Sequence, residues 1–553
     1  MDDLLQYPGV LDLKLQNSKR CVNKLPHELL LRIFRAGGEM QRRRGAREPC
    51  RGLQDLATQV CTQWRDVAIN SPVLWTYIYI SRPPPHHSAA LYLDRCGPTN
   101  LLDLDLEIMN DFFHEDIQSD NRARMSETKK IIAFLVQHGA GTRRWKSLKI
   151  SSEVLPVLLE MLKYVHPRLN PTLQYLSIEW SLGTDIATAM ESEIGVFTFL
   201  SVFDRVYPHT NEPFPRLRHV DMITVPSALT FRRPLPMLVD LTHLGLHPAF
   251  KLCSHSQLYD LLSDNPRLES LDIAGGILDE NVEPNDLQIV LPSLRSLSVA
   301  LGACPAWTLG VIMMIDGPAI ERLKLSLYGY RTSQMIQVIE QIVSHITSKY
   351  HTNTQPVATH EQTASRQQIY PALRLLDISG LCPANDQTKS FGELFLALPG
   401  ITLLVARASI VAILGDQRRL LPHLEHVRLV GEAPKELCRV LYSRAKAGHP
   451  VKVLEVYELF LDSIQVTLPE SLALVTIPAH YNYDDQEINE DDFDEHFDPD
   501  HDDFDEHADS EGSWSADDDT AASVLHEFVE SDEDHEGSLG DNGFGYGDGA
   551  DDY

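Results

Sequence analysis

At 553 residues the chain exceeds the roughly 100 to 200 residues of one ordinary domain, so a single small core is excluded and several units or a repeat array is expected. Its 79 acidic and 48 basic residues give a formal charge of −31, yet residues 481–553 alone hold 29 Asp and Glu and no Lys or Arg. The rest of the chain keeps 50 acidic and 48 basic residues, which excludes any argument from pI about the folded part and disfavours direct contact with DNA or RNA.

The N-terminus, Met1-Asp2-Asp3-Leu4-Leu5, is acidic where a secretory signal needs positive charge. No apolar run approaches the roughly 20 residues that span a bilayer; the nearest, Ile401 to Leu414, is broken by Arg407. A soluble cytoplasmic or nuclear protein without membrane contact is expected. Eight scattered cysteines form no CxxC pair, so they read as reduced, mostly buried thiols rather than a disulfide framework or a zinc knuckle.

Along the chain, Leu25-Pro26-His27-Glu28 opens a helix: Pro26 suits its first turn and Glu28 its positive end. Leu29, Leu30, Ile33 and Phe34 then recur at helical spacing. The stretch Gly37 to Pro49 is basic and glycine-containing and predicts an exposed loop, whose Arg42, Arg43, Arg44 and Arg47 read either as solvated charge or as a nuclear signal. A second helix is predicted from Leu53 to Ile69, with Leu56, Val60, Trp64, Val67 and Ala68 on one side, and Asn70-Ser71-Pro72 stops it. His86-His87, after Pro83-Pro84-Pro85, falls in a predicted loop.

From Trp145 onward one pattern returns: apolar, two positions, apolar, one position, apolar. Leu268-Glu269-Ser270-Leu271-Asp272-Ile273 and Leu424-Glu425-His426-Val427-Arg428-Leu429 are examples, and several units follow a proline, as at Asn265-Pro266 and Leu421-Pro422. The leading residues are Trp145, Leu173, Leu217, Leu241, Leu268, Leu294, Ile320, Leu373, Ile401, Leu424 and Val451. Their spacings run 28, 44, 24, 27, 26, 26, 53, 28, 23 and 27, a period of about 26 that falls within the roughly 20 to 29 residues of a leucine-rich repeat. Each unit has apolar faces it cannot bury alone, so neighbours stack, with His255 to Leu262 and Arg331 to Ile346 as return helices. Glu269, Ser270 and Asp272 would face solvent on a continuous inner surface. Thr347 to Gln368 lacks apolar periodicity and reads as an exposed insertion.

Beyond Ala479 the composition turns to Asp, Glu, Gly and Ser, which cannot bury enough apolar surface to offset ordering entropy, so disorder is expected. Asp498, Asp500 and Asp502 alternate as in a calcium loop, but Asp503 stands where Gly is required. Ser515 and Ser531 precede acidic residues that some kinases prefer. Phe493, Phe497, Phe504, Trp514 and Phe528 punctuate the tail, which reads as a solubilising segment or as a binder of basic partners such as histones.

The ordered set Leu25-Pro26, Glu28, Ile33-Phe34, Val60-Cys61, Trp64-Arg65 and Leu74-Trp75 resembles an F-box. With Trp75-Thr76-Tyr77-Ile78-Tyr79-Ile80 and Leu101-Leu102-Asp103-Leu104-Asp105-Leu106 behind it, the layout resembles the large fungal F-box families with irregular leucine-rich repeats. That resemblance implies an α/β chain: a three-helix F-box, a solenoid of strand-plus-helix repeats and a disordered acidic tail. The expected bounds are an extension over 1–21, the F-box over 22–76, a linker with first irregular repeats over 77–141, the solenoid over 142–478 and the tail over 479–553. It implies further that Leu25, Pro26, Leu29, Ile33, Val60, Cys61 and Trp64 bury against a Skp-type adaptor or support the surface that does. Through the adaptor come cullin and RING subunits, and the repeats take a target protein for ubiquitin-dependent degradation. The alternative is a scaffold outside ubiquitin transfer, holding a nuclear or chromatin complex through the acidic tail. No GxSxG elbow, GxxxxGK[ST] loop, HExxH or paired His/Cys set occurs, so no catalytic site, cofactor or metal is expected.

Overall fold

The structure, a computed structural model, describes residues 20–43, 52–114, 117–118, 120–165, 169–181, 213–225, 238–247, 254–274, 287–301, 305–327, 337, 340–346, 370–381, 388–416, 420–431, 437–463, 468–469 and 472–477. The insertion at 347–368 and the acidic tail, with Ser515, Ser531 and its aspartates, lie outside the described residues, as do Arg44 and Arg47. All described residues belong to one compact unit spanning 1–485.

Three helices open the unit: α1 (His27–Arg43), α2 (Leu53–Val60) and α3 (Thr62–Ile69). The expected loop from Gly37 is instead helix as far as Arg43. Gly37 lies where α1 meets α2, and a Cβ there would fall 2.3 Å from Leu53 Cδ2. A helical glycine costs roughly 1 kcal/mol relative to alanine, and here it leaves room for the Leu53 side chain. The single helix expected from Leu53 to Ile69 is broken at Cys61, whose extended backbone ends α2 while its Sγ accepts the Trp64 N–H at 3.5 Å and caps α3. The break separates the apolar set: Val67 and Ala68 are buried, whereas Leu56 and Val60 face outward.

Beyond the helices the chain lays down strands in sequence. The first are β1 (Tyr77–Ile80), β2 (Leu102–Ile108), β3 (Trp145–Ser152), β4 (Tyr175–Trp180), β5 (His219–Ile223), β6 (His243–His247) and β7 (Ser270–Ala274). A short β8 (Ile289–Val290) precedes β9 (Ser296–Leu301), and β10 (Ile315–Asp316) precedes β11 (Arg322–Leu327). The series closes with β12 (Leu375–Gly380), β13 (Leu403–Arg407), β14 (His426–Val430), β15 (Val453–Tyr457) and β16 (Ala473–Ile477). Among the described residues fourteen of these form one sheet in chain order, with its strands paired in parallel, while β8 and β10 form a separate parallel pair. A parallel sheet whose order follows the chain is a solenoid-like arrangement, each unit touching its neighbours.

The eleven leading residues from Trp145 to Val451 are all buried; Trp145 opens β3, and each of the others lies two residues before one strand from β4 to β7, β9, or β11 to β15. The local cause is visible in the turn before each strand. In Asn170-Pro171-Thr172-Leu173, Asn265-Pro266-Arg267-Leu268, Leu291-Pro292-Ser293-Leu294 and Tyr370-Pro371-Ala372-Leu373, the leading N–H donates to the carbonyl three residues back at 3.1 to 3.2 Å. Proline at the second turn position presets the required φ. Alternation then does the rest: Leu102-Asp103-Leu104-Asp105-Leu106-Glu107-Ile108 buries every other side chain.

Return helices include α4 (His87–Cys96), α5 (Asn121–Gln137), α6 (Leu155–Leu162), α7 (His255–Ser263), α8 (Pro305–Met314), α9 (Thr388–Ala397), α10 (Ala408–Asp416) and α11 (Leu437–Lys446). His86-His87 departs from the expected loop, since His86 is the N-cap of α4 and His87 its first residue. Of the Arg331–Ile346 return helix, residues 340–346 are helical and 331–336 lie outside the described residues. Fully buried Asn265 knits two units together: its Nδ2 donates to Leu238 O and Leu261 O, both at 2.7 Å, and its Oδ1 accepts from Leu241 N at 2.8 Å. No helix among the described residues is long and apolar enough to cross a membrane.

Candidate functional site

Two surfaces carry residues that the core does not account for. The first lies on the N-terminal helices. Leu30 and Phe34 turn one stripe of α1 into the core, where Phe34 packs on Trp64 with ring centroids 4.9 Å apart. The neighbouring stripe holds Leu29 and Ile33, four residues apart, and α2 contributes Leu56 and Val60 at the same spacing. These four stay 43, 46, 46 and 49 % exposed. Two regular pairs of large aliphatic side chains are thus left open to solvent on the N-terminal helices.

Of the other expected contact residues, Pro26 is exposed at the start of α1, where its carbonyl accepts from the N–H groups of Leu29 and Leu30. Leu25 and Trp64 are half-buried and pack on the core, and Cys61 serves as the cap described above. The sequence set therefore divides into outward Pro26, Leu29, Ile33 and Val60 and supporting Leu25, Cys61 and Trp64. Leu56 and Met40, both exposed, were missed as face residues. Leu56 had a signal, four residues before Val60.

The helices are tied to the sheet by specific contacts. Trp75, fully buried, donates its Nε1–H to Ala68 O at 2.8 Å, and Arg95 of α4 lies over its ring at 4.3 Å. The Tyr92 hydroxyl donates to Asp55 of α2. Arg42 of α1 reaches Asp103 on β2 at 3.3 Å and lies over the Tyr77 ring.

The second surface is the solvent side of the sheet. Tyr77 donates to Asp105 at 2.7 Å and Tyr79 donates to Glu107, each from β1 to β2, and Tyr175 on β4 donates to Asp221 on β5 at 3.0 Å. Burial, then the neighbouring carboxylate, pushes all three phenols up, Tyr79 to about 12, so each remains a donor. Burial likewise pushes the Asp105 carboxyl above its usual range.

Next to these pairs, the His219 and His243 rings stack with centroids 5.0 Å apart and planes 2° from parallel, and His219 Nε2 sits 3.0 Å from Asp221. Burial and the adjacent His219 lower the His243 pKa. Asp272 faces His247 at 3.5 Å; burial opposes its ionisation, but hydrogen bonds from His247 and Ser298 and the charge of Lys324 hold it below the usual carboxyl range. Between Asp221 and Asp272 the register places Gly245. The pairs that cross between strands were not visible in the sequence, because they join residues 24 to 46 positions apart.

No group of three or more His, Cys, Asp or Glu side chains among the described residues is arranged to hold a metal. Of the cysteines described, Cys96 and Cys438 are buried thiols and Cys61 is half-buried.

Residues 22–81 match the family model described as F-box-like. No curated protein matches the chain. Among solved structures it is similar to a protein from Bacteroides fragilis, 15 % identical over 63 % of this chain and 81 % of that one, with a TM-score of 0.29. A likeness at that level carries no argument about fold or function. The class defined by helices and family model together is that of proteins bearing an F-box-like domain, a module that generally binds Skp-type adaptors. Here it is followed by a parallel-strand, solenoid-like unit.

Proposed function

We propose that this protein is the target-recognition subunit of a Skp/cullin/F-box ubiquitin ligase. The F-box-like helices hold the Skp-type adaptor, the adaptor brings cullin and RING subunits, and the strand units, read as irregular leucine-rich repeats of the fungal F-box type, hold the target. The observation that carries this reading is the open apolar face of Leu29, Ile33, Leu56 and Val60 inside the F-box-like match. Fully burying a Leu, Ile or Val is worth about 1.5 to 3 kcal/mol, so completing the burial of each half-exposed side chain contributes about 1 kcal/mol. A few such anchors at the centre of an interface dominate its affinity.

The protein itself makes and breaks no bonds in this reading. It is an adaptor without a catalytic site, acting in the cytoplasm or nucleus and raising the effective concentration of a target near a charged ubiquitin carrier. The ties of Trp75 to Ala68, of Tyr92 on α4 to Asp55 and of Arg42 to Asp103 on β2 support that role, because they join the F-box-like helices to the start of the strand units.

The test is capture of a purified Skp-type adaptor by the full-length protein and by its Leu29→Ser, Ile33→Ser variant. Binding should fall by about thirtyfold or more, from about 2 kcal/mol of lost burial, with the melting transition unchanged. Undiminished capture by a folded variant overturns the reading. The scaffold alternative, motivated by the acidic tail, predicts adaptor without cullin or RING in material purified from cells.

A further inference from the structure

The side chains on the solvent face of the sheet are not evenly charged. Over β2 to β7 the outward positions carry Asp103, Asp105, Glu107, Glu179, Asp221 and Asp272 against Lys149. Over β11 to β14 they carry Arg322, Lys324, Arg407 and Arg428 against Asp377. Part of this charge is matched internally. Asp103 meets Arg42 and Lys146, Lys149 meets Glu179 at 3.8 Å, and Arg428 meets Glu455 of β15. Asp105 and Glu107 nevertheless accept from tyrosine hydroxyls, which leave their negative charge in place.

Gly245 adds a shape to the charge. A Cβ there would fall 2.4 Å from Asp221 Oδ1, so glycine lets the Asp221 carboxylate of β5 lie over β6, between β5 and the Asp272-bearing β7. Glycine inside a strand often marks such a close approach.

We propose that this face docks an extended target segment of polarised charge, with Lys or Arg residues over β2 to β7, one of them against the Asp221 carboxylate that lies over Gly245, and Asp or Glu residues over β11 to β14. The inference rests on the target-recognition reading and specifies the target's chemistry. The ten strand spacings from β2 to β14 span about 48 Å, which an extended chain covers in about 15 residues. Opposed charge blocks match both halves only when the segment carries them in blocks, so the face selects charge order as well as net charge.

The experiment uses the full-length protein and labelled peptides of about 15 residues: one with a basic and an acidic block, one of identical composition with alternating charge, and one with each block alone. The block peptide should bind about tenfold more tightly than the alternating one, with the preference shrinking as salt rises. Asp221→Asn with Asp272→Asn should weaken the peptides holding the basic block and spare the acidic block alone. Arg322→Gln with Arg407→Gln should do the reverse. This reciprocity separates the sheet face from the acidic tail, which any basic peptide can meet. Equal binding of block and alternating peptides, no binding at low salt, or variants that act on both single-block peptides alike would overturn the proposal. Adaptor capture, read on the same proteins, is untouched by these substitutions, so failure here and failure of the ligase reading are separable.

Discussion

Replacing Asn265 with Ala removes a buried side chain that joins the turn before β6 to the end of α7. Its amide serves two carbonyls, Leu238 O and Leu261 O, and one N–H, that of Leu241, all at 2.7 to 2.8 Å and away from water. Each buried polar group left without a partner costs about 1 to 3 kcal/mol, so three of them cost at least about 3 kcal/mol. Because units of a solenoid touch only their neighbours, the loss should be local. Urea denaturation followed by circular dichroism reads the total, and hydrogen exchange should show faster opening in residues 238–274 than at β13 to β15. A cost below about 1 kcal/mol, or exchange quickened evenly along the sheet, would refute the reasoning.

Trp75→Ala should cost about 3 to 5 kcal/mol, since it empties a fully buried site and removes the indole bond to Ala68 O, and limited proteolysis should then cut the N-terminal helices first. His86 and His243 have folded pKa values lowered by burial, so the unfolded chain binds protons more readily; melting temperature should be highest above the ordinary histidine pKa and fall as pH drops below about 6.5, less so in His243→Asn. Asp105 has a raised folded pKa, so its favourable share exists at low pH and is lost as pH rises through that value; Asp105→Asn, which keeps an acceptor for Tyr77, should raise the melting temperature at pH 7 and not at pH 3.

Much of the architecture was legible because it rests on short-range chemistry. The proline-led turns and the alternating strand residues are local signals, and the eleven leading residues each mark a strand of the sheet. The break at Cys61 was hidden because apolar periodicity runs on across it and a cysteine thiol is a weak, unusual cap. The helical Gly37 was hidden because its reason is Leu53, on another helix. The same holds for the sheet face. Its outward positions could be named from alternation, but Tyr175 with Asp221, and His219 with His243, meet only once register is fixed across 24 to 46 residues. Leu56 and Val60 were assigned to the helix side that holds Val67 and Ala68, and the turn at Cys61 is what sends them outward.

The ligase reading is tested most directly by purifying tagged full-length protein from cells and quantifying the Skp-type adaptor, cullin and RING subunits bound to it, beside the Leu29→Ser, Ile33→Ser variant. The account predicts all three subunits with the native chain and loss of all three together from a variant that still melts as the parent does. Adaptor, cullin and RING retained by that folded variant, or none of them on the native chain, would contradict it.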